Sequence, residues 1–404
     1  MSGGFHSTPE QYFEYGQRSI IRGLEEGRLT EDDADILREY VAERFTQISP
    51  SRASKTSSLL VTSRRFFPRY MGATKTDFLT GFGRLRHAKK EDGEPYAHNS
   101  IVELLNVARM FFEWMVDRGY VDITKDVIRS AKTPAFNMAT KNEDDILDAD
   151  EIVRLIDTAK SLRYKALIGV MYEAGLRASE AAALQWKDIT FYEWGARIRT
   201  DGKTGKKRTV PIIMYRELLA NWRSSYPGDP VGDAYVFLSN RGTPLKYNSV
   251  LRSVRNFARD AGIKRKIGLH TFRHSRITHV LRDGMQETLA KKAFWGNQST
   301  PMIATYSHLV DEDLDAEFCR LAGVELPEEA QVNGAPEPVQ CPNCHLVMPP
   351  GSRFCSRCGM TLTAEAAETV NAVIKAAEAV VANPNDPEAL TILLEARARM
   401  ARGE

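Results

Sequence analysis

Long apolar runs are missing from this chain of 404 residues. No segment approaches the roughly 18 apolar residues needed to span a bilayer, and no apolar stretch near the amino terminus resembles a secretion signal. The expected location is therefore the cytoplasm, with no membrane partner. Cysteine is scarce as well. Four of the five cysteines fall within residues 341–358, which argues against a disulfide scaffold. The fifth, Cys319, lies in an apolar pattern and reads as a buried small hydrophobe. Net charge almost vanishes, since 55 basic and 53 acidic residues leave +2. A phosphate-cradling GxxxxGK[ST] loop, an acidic cluster with metal spacing and a fixed-period repeat are absent too. These absences remove the usual signatures of nucleotide hydrolysis, of a metal-dependent acidic centre and of a solenoid.

What is present is ordinary in bulk, with 43% hydrophobic and 27% charged residues. The length suggests two to four domains. The near-zero net charge hides strong local blocks. Residues 241–282 hold eleven Lys or Arg and one acid, Asp260, and residues 197–208 hold six basic residues against Asp201. Residues 361–404 lean acidic, with seven acids and four bases. Basic blocks inside a folded domain fit a polyanion-binding face, and a merely solvated basic surface is the plain alternative.

The chain reads as mainly α with a small antiparallel β-sheet. Residues 1–135 form a helical region carrying basic side chains; within it SIVELLNVARMFFEWMVDRGYV has helical apolar spacing, with Gly119 as terminator. Residues 133–150 read as a linker, and Asp148 with Glu151 forms a candidate capping box for the next helix. A second domain spans residues 145–325. It is helical except where ITFYEWGARIRT, GKTGKK and RTVPII together suggest one short hairpin. A Pro- and acid-containing tether then leads to a cysteine module at 338–362 and a helical tail at 363–404.

Four short patterns stand in order across the second domain: GLRASE with Arg177 and Glu180, GKTGKKR with Lys203, HTFRH with His270, Arg273 and His274, and ATYSHL with Tyr306. Each alone is weak. Together they resemble the tyrosine recombinase (phage integrase) family, whose pattern is Arg, Lys, His-x-x-Arg, His or Trp, then Tyr. The resemblance covers roughly residues 145–320. It implies a tyrosine recombinase catalytic domain, with residues 1–135 similar in size, helicity and position to the family's helical core-binding domain. The family's His or Trp nine residues before the nucleophile falls here on Asn297, within FWGNQ, and Trp295 lies two residues earlier. Asn can donate a hydrogen bond but cannot titrate.

The chemistry that the resemblance implies is strand cleavage through a 3′-phosphotyrosyl intermediate. Arg177 and Arg273 would grip the non-bridging phosphate oxygens with permanently charged, planar forks. Tyr306 would attack, and Lys203 would protonate the departing 5′ oxygen. His270 is the candidate base or phosphate donor. Glu180 either orients a His or Arg or pairs within its own helix, and His274 is a supporting or buried histidine. No cofactor is required for that chemistry. The implied partner is double-stranded DNA with inverted half-sites, bound by a self-associating, tetrameric synapse, with accessory proteins possible. The helix after Tyr306 is expected at the place where family members pass an element to a neighbour, though it could equally fold back. Integration or excision of a mobile element is the expected role. Chromosome-dimer resolution, type IB topoisomerase action and non-catalytic DNA regulation are the alternatives.

Near the carboxyl end, CPNCHLVMPPGSRFCSRCG supplies Cys341 and Cys344, then ten residues, then Cys355 and Cys358. Two CxxC pairs across a short loop are a strong structural-zinc signal, because four thiolates close a tetrahedron with no open position. The segment resembles a zinc ribbon.

Overall fold

The computed structural model describes residues 7–138, 145–201, 207–307, 336–384 and 386–402. Lys203, the expected helix after Tyr306 with Cys319, and most of the tether lie outside these described residues. The chain divides into two compact units after residue 140. Among the described residues no helix is long and apolar enough to cross a membrane.

The first unit is helical: α1 Pro9–Glu25, α2 Glu31–Gln47, α3 Pro50–Ser63, α4 Lys75–Arg86, α5 His98–Arg118 and α6 Lys125–Ser130. Thr8, Thr30 and Thr74 cap three of these by accepting a hydrogen bond from the backbone N–H three residues on. The spacing of Val102, Leu105, Ala108, Phe112 and Met115 puts all five on the buried side of α5. The helix stops at Gly119, whose φ of 72° suits glycine. Phe112 packs edge-on against Phe78 at 4.9 Å and lies 5.1 Å from Phe67. Asp33 is buried beneath this cluster, where it takes hydrogen bonds from Arg64 and from the backbone N–H groups of Tyr70 and Met71.

The second unit opens with α7 Ala149–Thr158, capped reciprocally by Asp148 and Glu151. Helix α8 Leu162–Glu173 is buried all round from Ala166 onward and forms the centre of the core. Its last residue, Glu173, accepts the backbone N–H groups of Ile213, Met214 and Tyr215, which ties α8 to the far end of the sheet. Then come α9 Ala178–Ala183 and an antiparallel sheet of β1 Ile189–Tyr192, β2 Gly195–Asp201 and β3 Lys207–Ile212. The sequence suggests one hairpin here. The structure has three strands, because Tyr192 pairs with Gly195 and turns the chain inside the stretch read as a single strand.

Four helices follow: α10 Arg216–Ser224, α11 Tyr247–Asp260, α12 Thr271–Arg282 and α13 Glu287–Trp295. A 3₁₀ turn, Pro301–Ile303, leads to α14 Ala304–Ser307. The cysteine module pairs β4 Val339–Gln340 with β5 Val347–Met348, and the tail helices α15 Ala364–Ala382 and α16 Pro387–Arg402 pack together. The architecture is mainly helical with two small antiparallel sheets, in the expected order of helical region, catalytic-type domain, cysteine module and helical tail.

Candidate active site

The corner between α8 and α9 is tight. Gly175 has φ of 54°, and a Cβ there would sit 2.6 Å from the Phe294 ring, so both backbone and packing require glycine. Arg177 is the N-cap of α9, and Glu180, three residues on, folds back over it. One carboxylate oxygen of Glu180 accepts from the Arg177 guanidinium at 2.7 Å, while the other accepts from the Arg177 backbone N–H at 2.8 Å. That second oxygen also accepts from Arg208 at 2.7 Å. Strand β3 alternates so that Arg208 points inward with Val210 and Ile212. The Arg208–Glu180 pair is sealed from solvent, with side chains 1% and 2% exposed. Burial works to raise the Glu180 carboxyl, but the charge and hydrogen bonds of Arg208 and the N–H of Arg177 outweigh it, and its pKa falls below the usual carboxylate value.

Arg273 enters from α12 and is almost wholly buried. Its guanidinium donates to the carbonyls of Gly175 at 2.5 Å and Phe294 at 2.6 Å, and lies 5.2 Å from the centre of the Trp295 ring. Arg208 shares the same acceptor region, donating to Ala293 O at 2.7 Å and to Gly175 O at 3.3 Å. Burial, and then the charges of Arg208 and Arg177, pull the Arg273 pKa down to about 9, with Glu180 and Tyr306 acting the other way. Arg177 is the most open of the three arginines, with 29% of its side chain exposed.

Tyr306 sits on α14 in a small apolar cluster with Ile277, Val280, Ala290, Phe294 and Ile303. Its hydroxyl is 2.6 Å from Nδ1 of His274. Burial pushes the phenol up to about 12, against the opposing charges of Arg273 and Arg177. The Trp295 ring packs edge-on at 6.1 Å. His270, one helical turn before His274, is exposed, with its ring centre 6.4 Å from that of His274.

The structure thus gathers Arg177, Glu180, Arg273, His274 and Tyr306, with His270 at the edge. Asn297 follows the left-handed Gly296 that ends α13, and its side-chain oxygen accepts from the N–H and hydroxyl of Ser299. Two members of the site are absent from the catalytic set that the sequence suggests. Arg208 is visible in the sequence only as the last basic residue of GKTGKKR, yet it joins three elements. Its signal was its phase, since an arginine in register with Val210 and Ile212 occupies a buried position. Trp295, noted for its proximity to Asn297, contacts both Arg273 and Tyr306.

The four cysteines of the terminal module converge, with sulfur atoms all within 4.8 Å of one another. None is disulfide-bonded; Cys341 lies 3.6 Å from Cys358 and Cys344 3.4 Å from Cys355. A tetrahedron with zinc–sulfur bonds of 2.3 Å has edges of about 3.8 Å, so this cluster can hold a metal ion.

Residues 145–313 match the model of the phage integrase family. Tyrosine recombinase XerC of Xanthomonas axonopodis pv. citri (strain 306) is 28% identical over 221 residues, covering 52% of this chain and 67% of that protein. XerC of Xylella fastidiosa (strain 9a5c) is 29% identical over 221 residues, covering 52% and 70%. Among solved structures, Lambda Integrase bound to DNA is similar with a TM-score of 0.51 at 15% identity, over 68% of this chain and 95% of that one. XerH site-specific recombinase bound to palindromic difH substrate gives 0.50 at 16% identity, over 80% and 100%. The second unit therefore carries the fold of an integrase-type catalytic domain. Residues 145–313 thus carry the phage integrase family's pattern, and the chain is similar to tyrosine recombinases over that region.

Proposed function

We propose that this chain is a site-specific DNA recombinase that cleaves and rejoins duplex DNA through a 3′-phosphotyrosyl bond at Tyr306, in the integration or excision of a mobile element. One observation carries the reading. Arg177, Arg208 and Arg273 are gathered around a single carboxylate, Glu180, next to a tyrosine hydroxyl, which leaves an excess of two positive charges beside a nucleophile. A phosphodiester meets that excess.

In this mechanism Arg177 and Arg273 hold the non-bridging oxygens while Tyr306 attacks phosphorus. Arg208 and Glu180 do not touch DNA; they fix Arg177 and the Gly175 corner. Lys203, between β2 and β3 in the sequence, protonates the departing 5′ oxygen. His270 and Asn297 donate hydrogen bonds to the phosphate, and Ser299 holds the Asn297 oxygen so that its NH2 group is the donor presented. The phosphotyrosyl bond retains the energy of the phosphodiester, so resealing by another 5′ hydroxyl needs no nucleotide. The relatives matched by fold were solved on DNA. This supports duplex DNA with inverted half-sites as substrate, clasped with help from residues 1–135, and self-association into a tetrameric synapse. Cys341, Cys344, Cys355 and Cys358 hold structural zinc away from the chemistry.

The test is Tyr306→Phe on a nicked suicide substrate. Covalent capture should vanish while site-specific binding persists, because affinity is spread over many phosphate contacts. A protein–DNA adduct that survives in the variant refutes the assignment. General relaxation of supercoils without cleavage at one repeated sequence refutes site-specific recombination.

A further inference from the structure

The sequence places the candidate base at His270, but the geometry points to His274: we infer that His274 Nδ1 takes the proton of Tyr306 as the phenol attacks. The inference rests on Tyr306 being the nucleophile.

The first ground is contact. The Nδ1 to hydroxyl distance is 2.6 Å, a short hydrogen bond on the reacting atom itself. In the tautomer with the proton on Nε2, Nδ1 is an acceptor and the phenol donates to it. His270 lies at the N-terminal end of α12 with its ring exposed.

The second ground is need. Tyr306 is 3% exposed, so bulk water is a poor acceptor for its proton. With the phenol pushed up to about 12, roughly one molecule in 10⁵ is ionised at pH 7, so unassisted ionisation is rare.

The third ground is rigidity. Residue 273 is anchored by two carbonyls, and residue 275 accepts the backbone N–H of Leu147 at 2.9 Å while donating to Thr271 O. His274 lies between these two anchors, with its own N–H on His270 O. One helix thus aims the phosphate-binding arginine and the base in adjacent residues.

The step balances. The Tyr306 O–H bond breaks and its proton moves to Nδ1 of His274. The O–P bond forms, the bond from phosphorus to the 5′ oxygen breaks, and that oxygen takes a proton from Lys203. In resealing the incoming 5′ hydroxyl returns a proton to Lys203, and His274 reprotonates the released phenol. The imidazolium formed in the forward step lies near Arg273, and the growing negative charge on phosphorus offsets it.

Single-turnover adduct formation by the full chain tests the inference. His274→Ala and His274→Gln should both slow adduct formation by about 10²–10⁴-fold with little change in DNA affinity. Replacing Tyr306 by difluorotyrosine, whose phenol ionises more readily, should recover about tenfold or more in the His274 variants and much less in a His270→Gln variant. A substrate with a 5′-bridging sulfur should rescue Lys203→Ala but neither His274 variant, because sulfur leaves without protonation. Adduct formation within about threefold of the parent in His274→Gln overturns the inference. So does a slow His274→Gln that gains nothing from difluorotyrosine, which marks a purely structural histidine. If the parent chain forms no adduct, the recombinase reading falls first and takes this inference with it. A parent adduct with an indifferent His274 sinks the inference alone.

Discussion

Removing the Glu180 carboxylate should cost the second unit a large part of its stability. The Arg208 and Glu180 side chains are 1% and 2% exposed, so Glu180→Ala strands a guanidinium in the core with carbonyl partners only. Breaking one side of such a pair costs about 3–5 kcal/mol. For a unit of this size each kcal/mol lowers Tm by about 2–4 °C, so the drop should be about 6–20 °C. Urea unfolding of the full chain read by tryptophan fluorescence suits the measurement, since Trp186, Trp194, Trp222 and Trp295 all lie in the second unit. A double variant, Glu180→Leu with Arg208→Met, should recover part of the loss by removing the stranded charge. It should not recover all, because Ala293 O and Gly175 O lose a donor. The pH dependence has a definite sign. The folded pKa of Glu180 lies below its unfolded value, so its contribution is full above the unfolded pKa and is lost as pH falls through the folded one. The gap between parent and Glu180→Ala should therefore narrow below about pH 4. A gap under about 0.5 kcal/mol at neutral pH, or one that does not narrow in acid, refutes the reasoning.

Asn297→Ala should slow covalent capture by about tenfold, the worth of roughly one hydrogen bond, while Asn297→His keeps activity near neutral pH. Capture at the parent rate in Asn297→Ala, with Trp295→Ala severely slowed, would assign the donor's place to Trp295. Metal analysis of the full chain should give about one zinc per protomer, and chelation should unfold residues 338–362 while sparing cleavage of a short site; loss of cleavage by a second unit that stays folded would refute the accessory role. Gly351→Val should loosen the cysteine module from α7 with its metal retained, because φ is 76° and a Cβ would meet Val153 at 3.0 Å. Unchanged limited proteolysis around residue 351 would show that this contact does not hold the module.

Local patterns were the legible part. The apolar spacing of α5, the Asp148–Glu151 box, the Arg177–Glu180 spacing of three and the paired CxxC motifs are all written within a few residues, and each has a local physical cause. What failed to show depends on which turn of one element meets which turn of another. His270 and His274 lie one helical turn apart on α12, and no periodicity says which of them the Tyr306 hydroxyl will meet; the packing of α14 against α12 decides it. Arg208 shows why a charge inside an alternating strand can mark a buried network, since its partners at Gly175, Glu180 and Ala293 are remote in sequence. The sequence places the cysteine module beyond a tether. In the structure Pro349, Pro350 and Gly351 line a cavity with Val153, Ile156, Tyr215 and Leu218, a contact that a turn-like PPGS segment gives no reason to expect.

The charge imbalance at the site also says what the site is built to hold. Three guanidiniums around one carboxylate are costly when buried, and the fall of Arg273 to about 9 is that cost made visible. The backbone carbonyls of Gly175, Ala293 and Phe294 satisfy donors but carry no compensating unit charge. A bound phosphodiester, with one negative charge, offsets only half of the excess of two. The pentacoordinate arrangement formed by attack carries a second negative charge, which is shared between the remaining arginine charge and the imidazolium of His274. In the proposed mechanism the arrangement would bind the transition state more tightly than the intact strand, which is the condition for an interaction to accelerate a step rather than merely to hold its substrate. A fourth cation in place of Glu180 would bind intact DNA more tightly and lose that discrimination, and so the buried carboxylate tunes the arginines as much as it fixes them.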